Sequence, residues 1–162
     1  MDIKIITPKT EKDIADGLQL GYEYAEIICK DPFLEQYFKS QNFLAEIDKM
    51  PKGYEPPDGA YLIAYANDEA VGTVALKRLD DDVCEMKRLF VIEKYQGNGI
   101  GRLLAEHIIN EGKKLGYKRM RLDSSRSVMS KAVFMYKALG FYEIEPYNQN
   151  CVPDALFMEK IL

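Results

Sequence analysis

The sequence predicts an α+β domain: a mixed, mainly antiparallel sheet of about six or seven strands flanked by about four helices. Three observations lead there. Strand-like and helix-like segments follow in the order β-α-α-β-β-β-α-β-α-β-β, which is not the strict alternation of a doubly wound sheet. Two strands are separated only by Asn67-Asp68-Glu69, a hairpin signal that makes the pair antiparallel. The 162 residues carry no repeat and no low-complexity linker, so residues 1–162 read as one domain.

Each element has its own signal. "IKIITP" alternates and is β-branched, hence a strand. "TEKDIADGLQLGYEYAEIIC" opens on Thr10 as N-cap, with Asp13 three residues on, and continues with apolar residues at helical spacing. Pro32 interrupts the pattern, and "FLEQYFKSQNFLAEID" resumes it as a second helix. "MPKGYEPPDG" is a loop by its prolines and glycines. "AYLIAYA" and "AVGTVALKRL" form the hairpin, Asp80–Asp82 make a solvated turn, and "VCEMKRLFV" is the next strand. In that strand simple alternation places Glu85 and Lys87 on one face and Met86 and Arg88 on the other. A helix follows in which Ile100, Leu103, Leu104, Ile108 and Leu115 share one face, with Lys113 and Lys114 in the last turn and Gly116 as its stop. "YKRMRLDS" is a strand, "SKAVFMYKALG" a short helix ending at Gly140, and "FYEIEPY" and "ALFMEKIL" are the closing strands.

Composition narrows the function. A net charge of −4 argues against DNA or RNA as the main partner, because phosphate backbones need a basic face; a cationic small substrate suits it better. No apolar run approaches the roughly 20 residues of a membrane helix, and charges interrupt the N-terminus where a signal peptide would be apolar. Cys29, Cys84 and Cys151 form no CxxC pair, and His107 has no second histidine or nearby thiol. No metal site is expected, and a reducing cytoplasmic setting fits.

The chemistry concentrates in "EKYQGNGIGRLLAEHI", residues 93–108. Gly97, Gly99 and Gly101 fall just before a helix, where bare N–H groups and the positive end of the dipole attract phosphate. The alternative is only a tight strand-to-helix turn. The loop is not a P-loop, which needs GxxxxGK[ST]. Nor is it a Rossmann fingerprint: its spacing is GxGxG, "IEKYQ" separates it from the strand, and three strands precede that strand. Asp123, closing the next strand, does imitate the ribose-binding acid of that motif.

These residues resemble the GNAT superfamily of N-acetyltransferases. The family's acyl-CoA loop, Q/R-x-x-G-x-G/A, is matched by Gln96, Gly99 and Gly101. Loop, helix, strand and the closing "Y-x-x-x-GF" agree in order from about Val83 to Tyr147, and "FMEKIL" fits the family's last strand. The resemblance implies a GNAT-like sheet whose fourth and fifth strands splay for acyl-CoA, with acetyl-CoA as cosubstrate. It implies N–H groups from Gln96, Gly97, Asn98, Gly99, Ile100, Gly101 and Arg102 on the pyrophosphate. It implies main-chain contacts from Leu89, Phe90 and Val91 to the pantetheine arm. Arg102 either pairs with a phosphate or is a solvated helix arginine.

The same resemblance points to Tyr136 as the acid that protonates the departing sulfur, the alternative being core packing with Ala132, Val133 and Leu139. It points to Glu85 as the base, directly or through water, the alternative being an ion pair on the sheet. One departure stands out. Where many members carry an asparagine against the pantetheine, this chain has Met129, followed by Ser130, which either replaces the contact or caps the helix. The aromatics Phe33, Tyr37, Phe38, Phe43 and Tyr54 and the segment "PYNQN" either line an acceptor pocket or pack two helices on the sheet. The implied activity is direct acetyl transfer in a ternary complex to a primary amine of a small molecule or peptide, leaving a homodimer open. A non-catalytic acyl-CoA-binding or regulatory module is the alternative.

Overall fold

Thr10 and Asp13 start the first helix as their spacing requires. The Thr10 hydroxyl accepts from the Asp13 N–H at 3.1 Å, and the Asp13 carboxylate accepts from the Thr10 N–H at 3.0 Å. That helix is α1 (Glu11–Ile28) in a computed structural model that describes residues 1–162, and it follows strand β1 (Ile3–Ile6). Then come α2 (Pro32–Ser40), α3 (Phe43–Lys49), β2 (Ala60–Ala66), β3 (Glu69–Arg78), β4 (Val83–Val91), α4 (Ile100–Lys114), β5 (Arg119–Ser125), α5 (Ser130–Ala138), β6 (Tyr142–Ile144) and β7 (Ala155–Ile161). No helix is long and apolar enough to cross a membrane.

The hairpin turn uses left-handed Asn67 (φ 48) and Asp68 (φ 70), the pair of positive φ values that matches the twist of the flanking strands. Two sequence expectations differ. The segment read as one second helix breaks into α2 and α3 at Asn42, which is left-handed (φ 56). On an unbroken helix Phe38 and Phe43 would lie about 140° apart. The break instead brings their rings to 4.9 Å, and both pack edge-on against Tyr24. In α4 the buried stripe is Ile100, Leu104, Ala105, Ile108, Ile109 and Gly112, whereas Leu103 is exposed.

The seven strands form one sheet in the order β1-β2-β3-β4-β5-β7-β6, antiparallel throughout except for the parallel β4–β5 pair. Alternation along β2 divides the molecule into two cores. Leu62 and Ala64 join α4 and α5 on one face, while Tyr61, Ile63 and Tyr65 join α1, α2 and α3 on the other.

Strand β4 is irregular where the site forms. Thr73 pairs with Phe90 and Ala75 with Lys87, so Arg88 and Leu89 together face Val74. Arg88 adopts φ 59, and this bulge reverses the expected alternation: Arg88 lies on the face of Glu85 and Lys87, not with Met86. Its Nε donates to Glu46 at 2.7 Å, Nη2 donates to Gln41 at 3.2 Å, and the guanidinium stacks on Phe38 and Phe43 at 4.9 and 4.2 Å. Burial would raise the Glu46 pKa, but the hydrogen bond and charge of Arg88 outweigh it and hold the carboxyl below its usual 4.5. A depressed carboxyl stabilises the fold above its unfolded pKa, and that stabilisation is lost as pH falls through the folded value. Glu46→Gln should therefore cost on the order of 3 kcal/mol near pH 7, by leaving Arg88 under-paired. In urea titrations the gap between wild type and variant should close below about pH 4.3. A gap that stays constant down to pH 3 would remove Glu46 as the anchor of the bulge.

Candidate active site

Strands β4 and β5 pair only at Val83–Arg119, Cys84–Met120 and Glu85–Arg121, and then diverge. Their opened ends line a cavity of about 620 Å³. Met86 to Val91 form one wall, Leu122 to Ser125 the other, and the glycine loop and α2 form the two ends. A sheet opened in this way exposes backbone that a ligand arm can pair with.

At the loop end, Gly97 (φ 80) and Gly99 (φ 78) are left-handed, a backbone conformation that side chains disfavour. No side chain caps α4 and no acid lies in its first turn, so its leading N–H groups are left for an anion. Gln96 and Asn98 brace this loop rather than point at a ligand. Gln96 Nε2 donates to the Val91 carbonyl at 2.9 Å, and Asn98 Nδ2 donates to the Tyr95 and Gln96 carbonyls at 3.1 and 3.3 Å. Gly101 lines the cavity, and a Cβ there would meet only Val91 at 3.8 Å. Arg102 also lines it, half-exposed and paired with Glu106 at 2.9 Å. Leu89 and Val91 turn their side chains to the α4 core and Phe90 to the α1–α3 core.

Tyr136 is packed in the core and also lines the cavity. Its ring packs on Phe141 at 5.8 Å in the α4-side core, while the residue lines the cavity. Burial raises its pKa, and Tyr24 and Asp123 add to the shift, so the phenol keeps its proton at neutral pH. Ser130 and Met129 line the cavity beside it. Ser124 Oγ donates only a weak 3.5 Å bond to the Met129 sulfur, so Ser124 is a second hydroxyl facing the opened strands.

Glu85 is placed differently from the others. It does not line the cavity: it accepts from the Tyr147 hydroxyl at 2.7 Å, and Lys77 and Lys87 lie at 3.9 Å from its carboxylate. The carboxylate in the cavity lining is Asp123, on β5. It accepts from the Tyr37 hydroxyl at 2.5 Å, from Asn148 Nδ2 at 2.7 Å and from Asn150 Nδ2 at 3.3 Å. The sequence named Asp123 only as an imitation of a ribose-binding acid and missed its role here. The signal was present in "PYNQN", whose asparagines and tyrosine bond the two carboxylates. Of the aromatic set, Tyr37 and Phe38 line the cavity, Phe43 and Tyr54 are core, and Phe33 is exposed.

An opened parallel strand pair, an anion-ready helix start and a protonated phenol between them define an acyl-transfer enzyme of the splayed-sheet type. Comparison with known proteins agrees. The acetyltransferase (GNAT) family model matches residues 22–141, and the chain belongs to that family. An uncharacterised N-acetyltransferase of Schizosaccharomyces pombe is 35% identical over 161 residues, spanning 97% of this chain and 93% of that protein. Among solved structures, a GNAT-family acetyltransferase from Staphylococcus aureus has the same fold, with TM-score 0.75 and 21% identity over 99% of both chains. So does PaiA N-acetyltransferase from Thermoplasma acidophilum, solved in complex with coenzyme A, with TM-score 0.72 and 22% identity over 100% of both chains.

Proposed function

We propose that this chain transfers the acetyl group of acetyl-CoA directly to a primary amine of a small molecule or peptide. The observation that carries the reading is the cavity itself, which joins the glycine-loop helix start, the opened β4–β5 edge and Tyr136 in one space. The residues fit the cosubstrate. Three diphosphate-facing requirements are met at the loop: positive φ at Gly97 and Gly99, an uncapped helix start, and a side-chain-free Gly101. No cysteine lines the cavity and His107 lies outside it, which supports direct transfer over an acyl-enzyme route.

Acetyl-CoA supplies an activated thioester. The N–H groups of residues 97–102 receive its diphosphate, the Gln96 N–H being already donated to the Glu93 carbonyl at 3.1 Å, and the Leu89–Val91 edge, with Ser124 and Ser130, receives its pantetheine arm. Tyr136 donates its proton to the departing sulfur. A thiol has a pKa near ~8.5 in water, and the burial that raises the phenol's pKa also makes a thiolate formed beside it more basic. Asp123 holds the acceptor amine and takes its proton; Tyr37, Asn148 and Asn150 keep that carboxylate in place. Glu85 accepts from Tyr147, and neither residue lines the cavity.

Three measurements bear on this. Gly101→Val places a branched side chain in the cradle without asking for a left-handed valine, so calorimetry should show acetyl-CoA affinity falling by roughly 10-fold or more, with the melting temperature little changed. Unaltered affinity would remove the loop from the cosubstrate site. Tyr136→Phe should keep acetyl-CoA affinity and lose roughly 10²-fold in kcat. Full turnover in that variant would leave Tyr136 a core residue. Asp123→Asn should lower kcat/KM by roughly 10²-fold. If Glu85→Gln has that effect and Asp123→Asn does not, the base is Glu85 acting through water.

A further inference from the structure

One cation in the cavity wall, Lys87, makes no hydrogen bond within the chain. Lys87 lines the cavity with its side chain only 9% exposed. Its ammonium has three donors and makes no hydrogen bond in the chain. Its sole ion pair is with Glu85 at 3.9 Å, and that carboxylate is already taken by the Tyr147 hydroxyl and shared with Lys77. Burial, with the adjacent Arg88 charge, pulls the Lys87 pKa down to about 8. The neighbouring charges are all matched: Arg88 by Glu46 and Gln41, Asp123 by Tyr37, Asn148 and Asn150.

The strand register says what lies opposite. Glu85 pairs with Arg121, and Lys87 and Asp123 are each two residues further along parallel strands. Period-2 alternation therefore turns both toward the same face, across the gap where the strands part. They form no ion pair with each other. A largely enclosed ammonium and a carboxylate, both lining the cavity on either side of the gap, match a ligand carrying both charges in the reverse sense.

We propose that the acceptor is a small amine that also bears a carboxylate, an amino acid rather than a simple monoamine or polyamine, and that Lys87 receives the carboxylate while Asp123 receives the amine. The amine's fate rests on the acetyltransferase reading above; the anion pole does not, and it is measured separately. A polyamine would set a second ammonium against Lys87, and like charges at such range repel.

The test uses matched pairs that differ only in the carboxylate: phenylalanine and phenethylamine, ornithine and putrescine, methionine and 3-(methylthio)propylamine, extended across the common amino acids. Two readouts are taken, kcat/KM with acetyl-CoA from thiol release and direct binding to the cosubstrate-free protein by calorimetry. Wild type should favour the carboxylate-bearing member of its best pair by about 10- to 100-fold, the worth of one charge-assisted hydrogen bond. In Lys87→Met that ratio should fall toward one, through KM rather than kcat, with acetyl-CoA affinity retained. Lys87→Arg should restore part of it. Bare amines preferred by wild type, a Lys87→Met variant that weakens both members alike, or no amino acid bound by either readout would each overturn the proposal. Lys87-dependent amino-acid binding without turnover or acetyl-CoA binding would sink the acetyltransferase reading and keep the anion pole.

Discussion

The structure depends on a single buried ion pair. Arg88 sits in a left-handed bulge of β4 and is held there by Glu46 from α3, by Gln41 beyond the end of α2 and by the faces of Phe38 and Phe43. The bulge puts an extra residue into β4 and changes the phase of its side chains, so Lys87 and Arg88 lie on the same face while Leu89 and Val91 turn to the α4 core. Without that change of phase the strand beyond Glu85 would continue as a regular ladder, and the wall of the cavity would present a different set of side chains. A buried guanidinium without its carboxylate is costly, so the helices α2 and α3 and the central strand constrain each other.

The two faces of the sheet divide the chemistry. On the α4 face, apolar packing of Ile100, Leu104 and Ile108 fixes the helix whose uncapped start closes one end of the cavity. On the opposite face, tyrosines and asparagines hold two carboxylates in different states of enclosure: Asp123 opens to the cavity, and Glu85 is covered by Tyr147 and two lysines. Tyr136 belongs to both worlds, with its ring in the core and its place in the cavity wall. Packing of the ring fixes where its hydroxyl can lie.

Much of the frame was legible in the chain. The capping box at Thr10, the left-handed Asn67-Asp68 turn, and Gly116 and Gly140 after their helices are local events, decided by groups a few residues apart. Leu103 and the α2–α3 break were not legible, because periodicity counts apolar residues and does not know which cluster is near. Asn42 yields to a left-handed turn only because Phe38 and Phe43 gain a shared aromatic cluster.

By itself the sequence determined the element order apart from the α2–α3 break, the mixed sheet, the glycine loop at a helix start and the position of Tyr136, since each rests on spacing and on backbone chemistry within one segment. Only the tertiary structure decided that Arg88 changes faces, that Asp123 rather than Glu85 opens to the cavity, and that Lys87 lines the cavity without a hydrogen bond to the chain. The reason is physical. A charged side chain's state depends on what surrounds it, and here the surroundings of β4 and β5 come from Glu46, Tyr37 and the segment 147–150, residues brought together by folding across 25 to 86 positions of chain.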